Sequence, residues 1–177
     1  MRLFVSIDIP GSIQNKLAEI VPKAPCLRKT KKEQLHITLL FLGECSDVET
    51  ESIINKLRGI SFSPFELIVH KTGAFPNQNE PRVIWAGVKK QPKLNLLQKT
   101  ILNELSECKE QEGNHNFTPH ITLARVGKRF NQHLSSQIFR EFEPMSFLVD
   151  SFSLKKSELH PEGSQHKIIQ TFESTKT

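Results

Sequence analysis

The tetrapeptide His-Ile-Thr-Leu occurs twice in the chain, and this repetition constrains the fold more than any other feature. The first copy spans residues 36–39 and the second spans 120–123. Both copies lie in apolar, β-branched surroundings, at 35–42 and 119–126, which are typical of β-strands. Alternate side chains of a strand face the same way. Each copy is therefore predicted to direct its histidine and threonine to one face and its isoleucine and leucine to the other.

The two histidines, His36 and His120, are candidates for paired acid–base catalysis. Imidazole changes its charge near neutral pH, so a neutral ring can remove a proton from an attacking group while a protonated ring donates one to the leaving group. The hydroxyls of Thr38 and Thr122 can donate hydrogen bonds to oxygens that gain charge in the transition state. This set of groups suits in-line displacement at phosphorus, in which the attacking and leaving oxygens lie on opposite sides.

Two basic features could add contacts to a phosphate. Arg125 lies five residues after His120, and strict alternation places it on the opposite strand face. A bend or bulge near Ala124 would turn its guanidinium to the phosphate, where it can hold two oxygens. The segment 23–32 carries five Lys or Arg residues and is expected to be a loop, either a solvated linker or a phosphate contact. The net charge of +5 favours an anionic partner, although it also fits a surface that is basic only for solubility.

Other site chemistries find little support in the sequence. The remaining histidines lack the ligand spacing of a zinc site, and no acidic cluster accompanies either tetrapeptide. No nucleophile elbow or glycine-rich phosphate loop is present, so we expect neither a metal nor a nucleotide cofactor. The cysteines Cys26, Cys45 and Cys108 are unclustered, which indicates reduced thiols. With no signal peptide or membrane span in the sequence, we expect a soluble, cytoplasmic protein without a membrane partner.

The order of predicted elements indicates an α+β fold in a single domain spanning 1–177. Each half of the chain has a His-x-Thr strand after its first helix. We therefore expect two pseudo-symmetric lobes, each with a mainly antiparallel sheet flanked by helices, and an active groove between them. Towards the C-terminus the pattern predicts a helix over 132–142, a strand over 145–154 and a last strand over 165–172, with loops at 113–116 and 161–164.

Four segments of the sequence resemble the bacterial and archaeal RNA 2′,3′-cyclic phosphodiesterases, also called 2′-5′ RNA ligases, of the 2H phosphoesterase superfamily. These segments are 1–8, 36–43, 81–87 and 117–125. The resemblance implies a bilobal fold and a hydrolase that opens a terminal 2′,3′-cyclic phosphate to a 2′-phosphate. It also implies RNA ends or cyclic nucleotides as substrates, with reverse 2′-5′ ligation of tRNA halves as a further activity. Arg125 matches an arginine near the second motif of that family.

For this reaction we expect His120 to activate water and His36 to protonate the departing 3′ oxygen, although the pseudo-symmetry leaves these roles exchangeable. The chain has no tyrosine, so a nucleobase would stack on Phe41, Phe75 or Trp85. The sequence also fits each of these three as a core residue. We expect the protein to be a monomer.

Two alternatives stay open at this point. The same fold could bind a nucleotide or RNA without turnover. It could also hydrolyse linear 2′-5′ oligonucleotides or trim RNA 3′ ends. The sequence does not specify the biological RNA or the balance between ligation and hydrolysis.

Overall fold

The structure is a computed structural model that describes residues 1–108, 117–127, 130–160 and 163–175. Its strands are β1 (Arg2–Asp8), β2 (Leu27–Lys29), β3 (His36–Glu44), β4 (Phe65–Phe75), β5 (Val83–Val88), β6 (His120–Val126), β7 (Glu141–Val149), β8 (Ser151–His160) and β9 (Gly163–Glu173). Its α-helices are α1 (Gly11–Ile20), α2 (Asp47–Arg58), α3 (Pro92–Glu104) and α4 (Ser135–Ile138). Within the described part of the chain, no helix has the length and apolar character needed to span a membrane. The predicted α+β class is confirmed.

The strands form one antiparallel sheet in the order β7-β4-β5-β6-β3-β1-β8-β9, and β2 also pairs with β6. The two strands that carry the tetrapeptides, β3 and β6, are neighbours at the centre of this sheet. They pair antiparallel with Ile37 opposite Ile121. The sheets of the two predicted lobes are thus joined edge to edge, and the junction lies at the two tetrapeptides.

One half of the sheet is inserted in sequence between the strands of the other half. The half that contains β4, β5, β6 and β7 is contiguous, from residue 65 to residue 149. The other half combines β1 and β3 with the C-terminal strands β8 and β9, and Ser6 accordingly lies opposite Ser153. The unit β1–α1–β3 therefore corresponds to β5–α3–β6. The pseudo-symmetry relates positions in the sheet and not the first and second halves of the chain.

Alternation along β3 and β6 separates a covered face of the sheet from an open one. Ile37 and Ile121 are fully buried in an apolar cluster that also contains the helix residues Leu17, Ile53 and Leu94. The helices therefore cover the face to which these isoleucines point. The histidines and threonines between them point to the opposite face and are only half-buried.

Three elements differ from those predicted from the sequence. The segment 23–32, expected to be a loop, contains β2, because its backbone pairs with the end of β6. The helix predicted over 132–142 is limited to a 3-10 turn and α4, and β7 begins before residue 142. The strand predicted over 145–154 is two strands, because the chain reverses between β7 and β8. The predicted loop at 113–116 and residues 161–162 lie outside the described residues.

Candidate active site

The two His-Ile-Thr-Leu segments meet at the centre of the sheet, on its open face. Their isoleucines lie opposite each other. Because the strands are antiparallel, the residue before one isoleucine neighbours the residue after the other. His36 is therefore the neighbour of Thr122, and Thr38 is the neighbour of His120. The structure brings together all four of these predicted site residues as two histidine–threonine pairs.

Each histidine is held by the backbone carbonyl two residues before it. Nδ1 of His36 donates to the carbonyl oxygen of Gln34 at 2.7 Å, and Nδ1 of His120 donates to that of Thr118 at 2.7 Å. A carbonyl oxygen only accepts, so the proton of each neutral ring lies on Nδ1 and Nε2 keeps its free electron pair. Nε2 of His36 accepts from the Thr38 hydroxyl at 3.1 Å. The same nitrogen, Nε2, is thus left for chemistry on both rings.

Burial makes both imidazoles neutral in the ligand-free protein. It lowers the pKa of His36 to about 4, against the hydrogen bond to Gln34; electrostatic interaction with Lys155 and with His166 adds to this lowering, and the Asp8 carboxylate opposes it. Burial also lowers the pKa of His120, again against its hydrogen bond to a carbonyl. A protonated His36 at neutral pH therefore requires more negative charge than the Asp8 carboxylate, which is paired with Lys155, supplies in the ligand-free site.

A β-bulge follows the threonine of each tetrapeptide. The strand pairing skips Leu39 in β3 and Leu123 in β6, so these leucines are the extra residues of the two bulges. Each bulge shifts the alternation by one position. The side chain five residues after the histidine, which is Phe41 in one strand and Arg125 in the other, consequently returns to the open face. The bulge that Arg125 needs is therefore present, and both side chains are exposed.

Phe75 and Trp85 form a wall beside His120. The ring of Phe75 contacts the imidazole edge-on, with 4.9 Å between the ring centroids, and the centroid of the Trp85 ring lies 6.5 Å from it. The indole of Trp85 lies against Gly73 and Gly87, and a Cβ atom added at Gly73 would be 2.2 Å from that ring. Glycine at these positions therefore makes room for the indole. Both aromatic residues are half-buried and fix the position of His120.

Phe4 and His166 form the corresponding wall beside His36. The ring centroids of Phe4 and His166 each lie 5.1 Å from that of His36, and the two rings are 4.8 Å apart. Phe41 extends this cluster outward, at 6.2 Å from Phe4, and 62% of its surface is exposed. Of the three predicted stacking residues, only Phe41 presents most of its ring to solvent. Sequence reasoning missed Phe4 and His166, because no spacing relates them to the tetrapeptides.

A buried lysine lies behind His36. Lys155 on β8 is only 5% exposed, and its ammonium group pairs with the carboxylate of Asp8, the residue opposite His36 in the β1–β3 pairing. The Ser153 hydroxyl donates to the other oxygen of Asp8 at 3.0 Å and contacts the Thr171 hydroxyl at 3.3 Å. This network holds a positive charge close enough to His36 to disfavour its protonation.

Comparisons of the sequence and of the structure with known proteins agree with one another. The sequence model of the 2′-5′ RNA ligase superfamily matches residues 9–161. An RNA 2′,3′-cyclic phosphodiesterase of Archaeoglobus fulgidus is 36% identical over 98% of this chain and 100% of its own length. One from Methanocaldococcus jannaschii is 32% identical over 96% of this chain and 99% of its own length. The crystal structure of TT0787 of Thermus thermophilus superposes with a TM-score of 0.82 at 28% identity, covering 98% of this chain and 97% of that one.

Proposed function

Since the chain belongs to the 2′-5′ RNA ligase superfamily, we propose that it is an enzyme that hydrolyses the terminal 2′,3′-cyclic phosphate of RNA to a 2′-phosphate. The observation that carries this proposal is the pair of imidazoles at the strand junction, each with Nδ1 tied to the backbone and Nε2 left for proton transfer. The names of the relatives that match nearly the full chain point to the same reaction.

In the proposed reaction a water molecule attacks the cyclic phosphorus and the bond to the 3′ oxygen breaks. His120 removes the proton of the attacking water, and His36 donates a proton to the departing 3′ oxygen. The Thr38 hydroxyl turns from Nε2 of His36 to a non-bridging oxygen of the phosphate, and the Thr122 hydroxyl donates to such an oxygen as well. The guanidinium of Arg125 holds the same phosphate. The product carries a 2′-phosphate and a free 3′ hydroxyl. In the reverse direction, 2′-5′ ligation would exchange the roles of the two histidines.

The division of roles rests on access to water. His120 is the less deeply buried of the two histidines, which favours it as the residue that activates water from solvent. A substrate with sulfur in place of the 3′ oxygen tests this division, because a thiolate leaves without a proton donor. The sulfur substrate should restore much of the activity of His36→Ala and little of that of His120→Ala. If the sulfur substrate instead restored the activity of His120→Ala, His120 would be the proton donor and His36 the residue that activates water.

We propose Phe41 as the residue on which a nucleobase stacks, because its exposed ring lies at the edge of the cluster around His36. Phe75 and Trp85 instead act on the imidazole of His120 through the contacts described above. Phe41→Leu should raise KM for a cyclic nucleotide more than it lowers kcat. An unchanged KM would show that the nucleobase does not stack on Phe41.

Four further features of the proposed function are predictions. We propose that the enzyme acts as a monomer in the cytoplasm, that tRNA halves are among its RNA substrates and that it needs no metal ion. Within the described residues, no group of three or more His, Cys, Asp or Glu side chains is arranged to share a metal.

The decisive experiment measures conversion of 2′,3′-cyclic nucleotides and of a short RNA with a cyclic end, in EDTA. Wild type should form the 2′-phosphate. His36→Ala and His120→Ala should each lose activity by about 10²–10⁴-fold. His133→Ala, which changes an exposed histidine outside the site, is the matched control. No turnover by wild type, with tight binding of the product, would favour a binding module; turnover of only linear 2′-5′ oligonucleotides would favour a different phosphodiesterase.

A further inference from the structure

The strand β2 places a second arginine beside Arg125. The antiparallel pairing of β2 with β6 sets Arg28 directly opposite Arg125, and both side chains are exposed. Strand β5 pairs with β6 along one edge, so β2 and β3 share the other edge. Strand β2 therefore continues the line of β3 along that edge of β6. Arg28 lies just beyond the point where the pairing of β3 with β6 ends.

The neighbouring residue Lys29 shows which face Arg28 occupies. The ammonium group of Lys29 donates to the carbonyl oxygens of Ala18 and Val21 at the end of α1, at 2.6 and 2.5 Å. The side chain of Lys29 thus lies on the helix-covered face of the sheet. Adjacent residues of a strand point to opposite faces, so Arg28 lies on the open face. Arg125, its partner in the pairing, lies on the same face.

Two guanidinium groups in directly opposed positions repel each other. Among the described residues, no carboxylate forms an ion pair with Arg28 or with Arg125. No carboxylate in that part of the protein therefore neutralises the pair by direct contact. An anion bound between the two guanidinium groups would offset their repulsion, and phosphate is the anion that two such forks fit best.

The position of the pair relative to the reacting phosphate identifies which phosphate it meets. Because Leu123 is the extra residue of the bulge, Arg125 lies two paired positions beyond Thr122 along β6, which corresponds to about 7 Å of strand. Arg28 lies level with Arg125 on the neighbouring strand, so the two residues are equally far along the sheet from the reacting phosphate. Arg125 can reach back toward that phosphate, and both guanidinium groups can face the next phosphate along the chain. We propose that Arg28 binds the backbone phosphate on the 5′ side of the terminal nucleotide. The inference rests on the proposed function, and it makes an RNA end a better substrate than a mononucleotide.

The test compares a nucleoside 2′,3′-cyclic phosphate with a dinucleotide that ends in the same group. Arg28→Gln should lower kcat/KM for the dinucleotide by about tenfold and leave the mononucleotide unchanged. For the dinucleotide, the slope of log kcat/KM against log salt concentration should also be shallower by roughly 0.7 in the variant than in wild type. Arg58→Gln, which alters an exposed arginine at the end of α2, is the matched control. An equal loss on both substrates, or no loss on either, would overturn the inference.

A binding measurement separates this inference from the proposed function. Calorimetry compares the affinities of a mononucleotide and a dinucleotide that each carry a terminal 2′-phosphate. Wild type should bind the dinucleotide more tightly, and Arg28→Gln should remove that difference. If wild type turned over neither cyclic substrate but showed this difference, the proposed function would fail and the second phosphate site would stand. Equal affinities in wild type would overturn the site whatever the turnover.

Discussion

Binding of a phosphate group should raise the pKa of His36 strongly. The pKa is about 4 in the ligand-free protein, so protonating this ring at neutral pH costs about 4 kcal/mol, at about 1.4 kcal/mol per pKa unit. One negative charge about 4 Å from the ring contributes about 4 kcal/mol at an effective dielectric constant of about 20. The stabilisation from one negative charge therefore equals the cost of protonating His36. The substrate itself should therefore supply the charge that converts His36 into the proton donor.

The assay is an NMR titration of the imidazole resonances, with and without adenosine 2′-phosphate. The midpoint of His36 should move from about 4 to about 7 when the nucleotide binds. Lys155→Met is the matched perturbation, because it removes a positive charge and frees the Asp8 carboxylate, and both changes raise the pKa of His36 in the free protein. If the midpoint of His36 were unchanged by the nucleotide, the electrostatic reasoning would be wrong and His36 could not be the acid at neutral pH.

The remaining predictions concern the hydroxyls, the metal and the glycines. Thr38→Ala and Thr122→Ala should each lower kcat by about 10²–10³-fold, and an effect confined to KM would contradict their role in the transition state. Dialysis against EDTA should leave kcat unchanged. Loss of activity on dialysis, with recovery when a metal ion is added, would refute a metal-free reaction. Gly73→Ala should cost about 1–3 kcal/mol in urea unfolding, because its Cβ meets the Trp85 indole. Gly11→Ala is the control, since its Cβ meets no atom within 4 Å.

The sequence indicated that the four His and Thr residues of the candidate site lie together because their signal is local. A strand repeats every two residues, so the tetrapeptide alone determines which side chains share a face. It also indicated that Arg125 needs a bulge, since five residues is an odd spacing. It did not indicate that the same bulge occurs at Leu39, which makes Phe41 the counterpart of Arg125.

The surroundings of His36 were not predictable in the same way, because they depend on pairings between distant segments. Lys155 and His166 come near His36 only because β8 pairs with β1 and β9 pairs with β8. Neither residue has a spacing that relates it to the tetrapeptide. β2 was missed for a related reason: its three residues have no alternating apolar pattern, and only the pairing with β6 makes them a strand. That pairing is also what assigns Arg28 to a face.

The insertion of one half of the sheet into the other affects the order in which the site can form during synthesis. The half that carries His120 is contiguous, so its strands are all available once residue 149 has left the ribosome. The half that carries His36 is incomplete until β8 and β9 have been synthesised, although the tetrapeptide at 36–39 is made early. A nascent chain thus contains both tetrapeptides long before it can pair β1 with β8. A chain that terminates before β8 keeps both histidines and loses Lys155 and His166, whose electrostatic interactions with His36 add to the effect of burial on its pKa.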